Sequence, residues 1–157
     1  MPVTGDDLID VADRLCVRWH DGHTDKAGMP YIEHPRRVSS YVAADNAVAR
    51  AAALLHDVLE DSGVGAAELS AEGIPVDVIE TVELLTRRDG IPTEEYYRRI
   101  KSHPNALEVK LADLADNTDP SRLALLDTAT QDKLRRKYVG AYAALGVDPS
   151  DGDRRRG

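Results

Sequence analysis

The segment that decides the fold is Ala51-Ala-Ala-Leu-Leu-His56-Asp57-Val-Leu-Glu60-Asp61, an apolar run with four polar side chains in it. Such a run predicts a buried helix, in which carboxylates are costly unless a positive charge compensates them. On one helix His56 and Glu60 are four residues apart, as are Asp57 and Asp61, so the four side chains form two adjacent rows. This pattern predicts a site with the ligands and proton-handling acids of a water-activating metal centre.

The composition predicts a single all-α domain. At 157 residues, the chain is long enough to bury on the order of two thirds of its unfolded surface. Its hydrophobic residues make up 42% of the chain, without Phe and with one Trp, which is typical of helices packed through small residues. We find no internal repeat and no strand-like alternation, so a helical bundle is expected.

Charge and hydropathy limit the partners. A net charge of −8 argues against a general nucleic-acid binder or an anionic-membrane binder, which normally has a basic surface. A nucleotide is not excluded, because a metal and a few local cations can hold phosphates. No stretch approaches the ~20 apolar residues of a membrane span, and the start of the chain has no signal pattern. The single Cys16 lies among apolar residues, which predicts a core residue in a protein of the reducing cytoplasm. The sequence favours no particular oligomeric state.

Helical spacing and capping residues predict the course of the chain. The helices are expected at residues 5–22, 34–42, 46–62, 66–70, 75–88, 93–100, 105–117, 123–126 and 131–145, with Thr4 as a cap and Gly146 as the last stop. After residue 148 the chain is charged, rich in Gly and Pro and without periodicity, so a mobile tail is expected over residues 148–157.

Polar residues in other helices extend the candidate site. His34 stands before Pro35 at a helix start, and Asp113 interrupts a third apolar helix. With His56 and Asp57 they form a set of two His and two Asp that suits Mn, Fe or Zn and leaves positions for water. Alternatively, Asp113 forms a buried salt bridge with Lys110 or an N-terminal arginine.

Other polar groups have simpler interpretations. Glu60 and Asp61 either end a helix in solvent or orient the attacking water and protonate the leaving group. His20 and His23 are expected at the surface or in a layer around the ligands, and His103 before Pro104 is expected to end a helix. The run of residues 135–137, two Arg and one Lys, predicts the solvated face of the last helix.

Three motifs resemble one family. They are His20-Asp-Gly-His-Thr-Asp-Lys26-Ala-Gly-Met-Pro30-Tyr31-Ile-Glu-His34-Pro35, Ala52-Ala-Leu-Leu-His-Asp-Val-Leu-Glu-Asp61 and Val109-Lys-Leu-Ala-Asp113. Together they give the H…HD…D pattern of HD-domain metal-dependent phosphohydrolases. They further resemble the hydrolase domain of RelA/SpoT alarmone enzymes and their small stand-alone homologues, over residues 8–117. The resemblance implies a single-domain HD-type helical bundle over residues 1–147.

The resemblance also assigns roles. It implies that His34, His56, Asp57 and Asp113 hold one Mn²⁺, with Fe or Zn as alternatives. It implies that Glu60 and Asp61 do the acid–base work. The residues implied to bind the nucleotide are Lys26, Tyr31 and Asn117.

Some residues depart from the family pattern. Asp25 stands before Lys26 where the family usually has Arg, and like-charge repulsion from Asp25 weakens contact with a highly phosphorylated nucleotide. Arg122 is a candidate to compensate this charge. His23 stands where a Gln is usual, and the residues after Asp113 read Leu-Ala-Asp-Asn instead of a basic or aromatic variant ending in Asn.

The function implied by the resemblance is hydrolysis of guanosine 3′,5′-bis(diphosphate), ppGpp, to GDP and pyrophosphate. A small nucleotide is then the partner. The alternatives are another nucleotide phosphohydrolase, such as a 5′-nucleotidase or an NADPH phosphatase, and a nucleotide-binding regulator without turnover. The intact pair Glu60-Asp61 argues against the regulator.

Overall fold

A computed structural model of the protein describes residues 5–61 and 63–157, without the side chain of Asp61. The all-α prediction is confirmed: the described ranges contain eleven helices and no β-strand, only an isolated bridge between Thr24 and Pro30. The helices are α1 Gly5–Trp19, α2 Glu33–Ser40, α3 Ala47–Leu55, α4 Val58–Asp61, α5 Ala66–Ala71, α6 Val76–Leu85, α7 Thr93–Lys101, α8 Pro104–Asn117, α9 Pro120–Leu123, α10 Thr128–Leu145 and α11 Ser150–Arg156. None of these helices is long and apolar enough to cross a membrane.

Helix α3 lies at the centre of the bundle. It packs against α1, α2, α6 and α8, and its buried residues are four Ala and two Leu. Small side chains allow neighbouring helices to approach closely, as the composition predicts. Asn46 caps α3, since its side chain accepts a hydrogen bond from the Ala49 N–H, and this confirms the predicted start. The central helix therefore delivers His56, the next residue, into the middle of the fold.

The predicted continuous helix over residues 46–62 is wrong. It breaks at His56 and Asp57 into α3 and the single turn α4. The His56 Nδ1–H donates to the Ala53 carbonyl over 2.6 Å, which is the acceptor that the Asp57 N–H would use in a continuous helix. The side-chain hydrogen bond competes with the backbone hydrogen bond. His56 and Asp57 therefore lie at a bend between two helices, and not in the two rows predicted along one continuous helix. Ser62 lies outside the described residues.

Two helix ends agree with prediction. The helix α7 ends at Lys101, just before His103-Pro104. His103 also caps α8, which was not predicted, because its ring nitrogen accepts a hydrogen bond from the Ala106 N–H, and Pro104 takes the first helical position. The last long helix ends as predicted at Gly146, which adopts a left-handed φ of 70°. The predicted cap Thr4 lies outside the described residues.

The expected mobile tail is corrected by α11, which packs against α8. Arg155 forms a two-pronged ion pair with Glu108 and a further one with Asp151. Arg156 donates to the Ala115 carbonyl near the end of α8, where a cation is favoured by the helix dipole. The segment has no helical periodicity because ion pairs, and not an apolar stripe, attach it to the bundle.

Candidate functional site

Two histidines and two aspartates from separate elements meet in the structure. The Asp113 Oδ1 atom lies 3.0 Å from His34 Nε2 and 3.4 Å from His56 Nε2. Asp57 Oδ2 lies 3.1 Å from His56 Nε2 and 3.9 Å from His34 Nε2. In His34, His56 and Asp57, the potential ligand atoms all lie within 4.8 Å of one another. The structure thus brings together the four residues that the sequence predicts as ligands.

Each member is positioned by a different feature of the fold. His34 lies in the first turn of α2, His56 and Asp57 lie at the break between α3 and α4, and Asp113 lies in the middle of α8. Because α2, α3 and α8 pack against one another, these positions converge. Both histidines are buried, with 5% and 4% of their surface exposed. Burial of this polar cluster therefore follows directly from how the three helices pack.

The ring nitrogens fit a cation site. His34 Nδ1 lies 2.6 Å from Asp116 Oδ2, and His56 Nδ1 lies 2.6 Å from the Ala53 carbonyl, so both Nδ1 atoms donate. Both Nε2 atoms are left to face the carboxylates. His56 Nε2 is buried and lies 3.1 Å from Asp57 Oδ2 without a well-aligned hydrogen bond. A cation bound by the Nε2 lone pairs and the carboxylates would satisfy this buried atom, so the donor set fits a divalent metal.

Electrostatics couple the four groups. Burial by itself lowers the pKa of His34 and His56, but the surrounding carboxylates outweigh burial and raise both pKa values. Burial raises the pKa of Asp57, but the adjacent His56 lowers it to about 2. The pKa of Asp113 is well below its usual range, because Lys110 and the two histidines outweigh its burial. The histidines and the carboxylates of the cluster therefore favour each other's charged forms.

Asp113 also makes the salt bridge that was the alternative interpretation. Its Oδ2 atom lies 3.3 Å from Lys110 Nζ, and its Oδ1 atom accepts a hydrogen bond from Asn117 Nδ2 over 3.1 Å. The two oxygens of this carboxylate therefore have different surroundings: one faces the lysine, and the other faces Asn117 and the histidines. Asn117, predicted as a nucleotide contact, lines the cavity, but one of its side-chain N–H groups already donates to Asp113.

The cluster lies at the wall of a cavity of about 810 Å³. That volume suits a nucleotide-sized ligand. The cations that line it are Lys26, Arg37, Arg87, Lys110, Arg122 and Lys137. Its apolar lining comes largely from α9, α10 and the loop between them, with Leu123, Leu125, Leu126, Leu134, Tyr138 and Ala141. The cavity wall therefore combines an apolar part with a charged part, in which carboxylates such as Asp25, Glu33 and Glu60 lie beside the cations.

The residues predicted around the ligands have specific partners. Tyr31 lines the cavity, and its hydroxyl donates to Asp57 Oδ2. Glu60 also lines the cavity, is exposed, and accepts a hydrogen bond from the Arg87 backbone N–H. Lys26 is exposed at the cavity edge. The side chain of Asp61 lies outside what the structure describes.

Asp25 is bound within its own loop. Its Oδ1 atom accepts hydrogen bonds from the Ala27 and Met29 N–H groups, and its Oδ2 atom lies 3.3 Å from Arg122 Nη2. Burial opposes ionisation of Asp25, but these donors outweigh burial and lower its pKa. Arg122, the candidate to compensate the charge of Asp25, thus lies beside it. Asp25 thus shapes the loop at the cavity edge.

Sequence reasoning missed or misplaced several neighbours of the site. The Asp116 carboxylate accepts a hydrogen bond from His34 Nδ1. The sequence contains a signal for this residue, because Asp116 is another charge in an apolar helix, three residues after Asp113. His20 is buried and lies with its ring centroid 4.8 Å from that of Tyr31, so the surface alternative is wrong for His20. Burial lowers the pKa of His20 to about 4. The run 135–137 is exposed as predicted, although Lys137 also borders the cavity.

Comparisons with known proteins agree with the fold. A GTP pyrophosphokinase of Streptomyces antibioticus is 29% identical over 147 residues, covering 87% of this chain and 17% of the relative. A guanosine-3′,5′-bis(diphosphate) 3′-pyrophosphohydrolase of Haemophilus influenzae is 33% identical over 126 residues, covering 74% of this chain and 18% of the relative. The chain thus spans less than a fifth of the length of these curated relatives.

A solved structure is also similar. It belongs to a metazoan ortholog of SpoT described as hydrolysing ppGpp, with a TM-score of 0.74, 22% identity, and coverage of 94% of this chain and 93% of that one. At this identity the likeness concerns the fold. The sequence model of the HD domain matches residues 31–121, more than half of the chain, and includes all four clustered residues. The chain therefore belongs to the HD-domain family.

Proposed function

We propose that the chain is a metal-dependent phosphohydrolase that removes pyrophosphate from the 3′ position of ppGpp and leaves GDP. The observation that carries this proposal is the cluster of His34, His56, Asp57 and Asp113 in the wall of a cation-lined cavity of about 810 Å³. The names of relatives that hydrolyse or synthesise such nucleotides support the choice of substrate.

The four clustered residues would hold one divalent cation. The mixed imidazole and carboxylate donors suit Mn²⁺ best in our proposal, with Fe and Zn as alternatives. When bound, the cation would act as a Lewis acid that polarises a phosphoryl oxygen and lowers the pKa of a bound water towards neutrality. Tyr31 holds Asp57 in place by its hydrogen bond, and Asp116 does the same for His34.

The remaining site residues bind phosphates and move the proton. Lys26 and Asn117 contact the nucleotide in our proposal, together with the other cations in the cavity wall, because a 3′,5′-bis(diphosphate) carries high negative charge. Glu60, which lines the cavity, accepts the proton of the attacking water, and the pair Glu60 and Asp61 returns a proton to the 3′ oxygen of the leaving GDP. The apolar wall from α9 and α10 accommodates the base.

Residues 1–147 carry the phosphohydrolase site, and α11 is attached to them. The partner is a small nucleotide, and the acidic net charge of −8 disfavours nucleic acid and anionic membranes. The free, buried Cys16 suits a cytoplasmic location.

The test is turnover of a nucleotide panel by protein loaded with Mn²⁺, with separate detection of pyrophosphate and orthophosphate. Wild type is expected to release pyrophosphate from ppGpp, and Asp57→Ala is expected to lose at least about 100-fold in kcat/KM because a ligand is gone. Asp132→Ala, an exposed aspartate on α10, is the matched control and should keep full activity.

Two outcomes would change or contradict the proposed function. Orthophosphate release would indicate a nucleotidase or an NADPH phosphatase in place of a pyrophosphohydrolase. Absence of turnover for every nucleotide, with Mn²⁺ bound, would contradict the enzyme and favour a binding regulator.

A further inference from the structure

We propose that Asp116 is a positioning residue that fixes the ring of His34 for metal binding. The inference rests on the proposed metal site. Asp116 is fully buried, with 0% of its surface exposed, and its Oδ2 atom lies 2.6 Å from His34 Nδ1. It stands three residues after Asp113 on α8, so one helix carries both a proposed ligand and the group that orients another ligand.

Two arginines hold the Asp116 carboxylate in place. Arg37 donates to Oδ1 over 2.6 Å and to Oδ2 over 3.2 Å. Arg122 donates to Oδ2 over 2.9 Å and to the Asp116 carbonyl over 3.1 Å. A buried carboxylate with this many charge-assisted partners has one preferred orientation. Its bond to His34 is therefore built into the fold before any metal binds.

The bond determines which nitrogen of His34 faces the cluster. A carboxylate at Nδ1 keeps that nitrogen protonated, so Nε2 keeps the lone pair that a cation needs. His56 reaches the same state differently, because its Nδ1–H donates to the neutral Ala53 carbonyl. The two histidines therefore have unequal partners, and His34 is the more basic ligand of the two.

The test combines nitrogen NMR of the histidine rings in Zn²⁺-loaded protein with calorimetric titration of the metal-free protein with Mn²⁺. In wild type, His34 should coordinate through Nε2 and show a protected Nδ1–H proton at low field. In Asp116→Asn, that proton should shift upfield or be lost, while the Nδ1–H of His56 stays unchanged. The Mn²⁺ affinity of this variant should fall 10- to 100-fold, the order of magnitude known for such partners.

The matched control is Glu108→Gln, which removes another arginine-paired carboxylate from α8 without touching a histidine. It should leave both ring protons and the Mn²⁺ affinity unchanged within about twofold. An unchanged His34 proton and affinity in Asp116→Asn would overturn the positioning role while leaving the proposed function intact. Coordination of wild-type His34 through Nδ1 would overturn it too, even if the variant fails to fold. Wild type that binds neither Zn²⁺ nor Mn²⁺ would overturn the metal site itself and the positioning role with it.

Discussion

Lys110 and Asp113 form an ion pair beside the candidate ligands, with Lys110 Nζ 3.3 Å from Asp113 Oδ2 and side chains that are only 17% and 10% exposed. Burial lowers the pKa of Lys110, but the negative charge of Asp113 outweighs it and raises that pKa. The lysine therefore stays charged. Its charge balances a carboxylate that also faces two histidines, so the pair holds the site together before any metal binds.

Asp113→Ala is expected to destabilise the metal-free protein by about 3 to 5 kcal/mol, because Lys110 is left as an unpaired buried charge and the two histidines lose a carboxylate neighbour. The double variant Asp113→Ala/Lys110→Met should be more stable than the single variant, since the unpaired lysine is gone. Urea unfolding in the presence of a chelator measures both. A double variant no more stable than Asp113→Ala would contradict the account.

Metal binding is expected to release about one to two protons per ion near pH 7. The surrounding carboxylates raise the pKa values of His34 and His56 and so favour the protonated rings in the metal-free protein, whereas a metal needs the rings neutral. The metal affinity should therefore rise with pH until both histidines are neutral, and it should fall as the pH drops. Titration calorimetry in buffers of different ionisation enthalpy counts the protons. Binding without proton release would show that the rings are already neutral.

Gly152→Ala and Gly140→Ala are expected to shift stability in opposite directions. A Cβ at Gly152 would lie 2.9 Å from the Tyr142 hydroxyl of α10 and 3.0 Å from Arg156 Nη1, so Tyr142, Arg156 or α11 itself must shift at a cost of about 1 to 3 kcal/mol. A Cβ at Gly140, inside α10, meets nothing within 4 Å and should stabilise that helix by about 0.5 to 1 kcal/mol.

Thermal unfolding of the two glycine variants compares them directly. Equal melting temperatures would mean that α11 does not pack as described. A Gly152→Ala variant that melts like wild type would count against the close approach of α11 to Tyr142.

Substitutions of Asp25 separate repulsion from loop support. If the carboxylate mainly repels substrate phosphates, both Asp25→Asn and Asp25→Ala should lower the KM for ppGpp. We expect the reverse: Asp25→Ala raises KM about 10-fold because the Ala27 and Met29 N–H groups lose their acceptor, and Asp25→Asn, which keeps an amide oxygen, raises it less. Steady-state kinetics at saturating metal gives the order of the three KM values.

Much of this arrangement is visible in the sequence, because helical spacing and misplaced charges are local signals. His34 at a helix start, and His56, Asp57 and Asp113 in apolar runs, stand out without a structure. The order of the helices follows from caps such as Asn46 and Gly146. Helical spacing cannot predict distances between residues of different helices, such as the distance from His34 Nε2 to Asp113 Oδ1, because that distance depends on how the helices pack.

The errors have a common physical cause: a polar side chain acted on backbone or on distant charges. The ring of His56 donates to a carbonyl of its own helix, and the helix breaks there; the ring of His103 caps α8, the helix after the one that it was expected to end. Segment α11 depends on Arg155 reaching Glu108, 47 residues away in sequence. Periodicity contains no information about such bonds, so neither the break nor the last helix could be predicted from it.

Arg122 donates to Asp116 with one terminal nitrogen and to Asp25 with the other. One guanidinium thus joins the carboxylate behind a proposed metal ligand to the loop at the cavity edge. If a nucleotide and a cation bind as proposed, a change in the order of that loop would reach His34 through Arg122, and a change at His34 would reach the loop. By thermodynamic linkage the coupling would be reciprocal: the factor by which metal changes the nucleotide affinity equals the factor by which nucleotide changes the metal affinity.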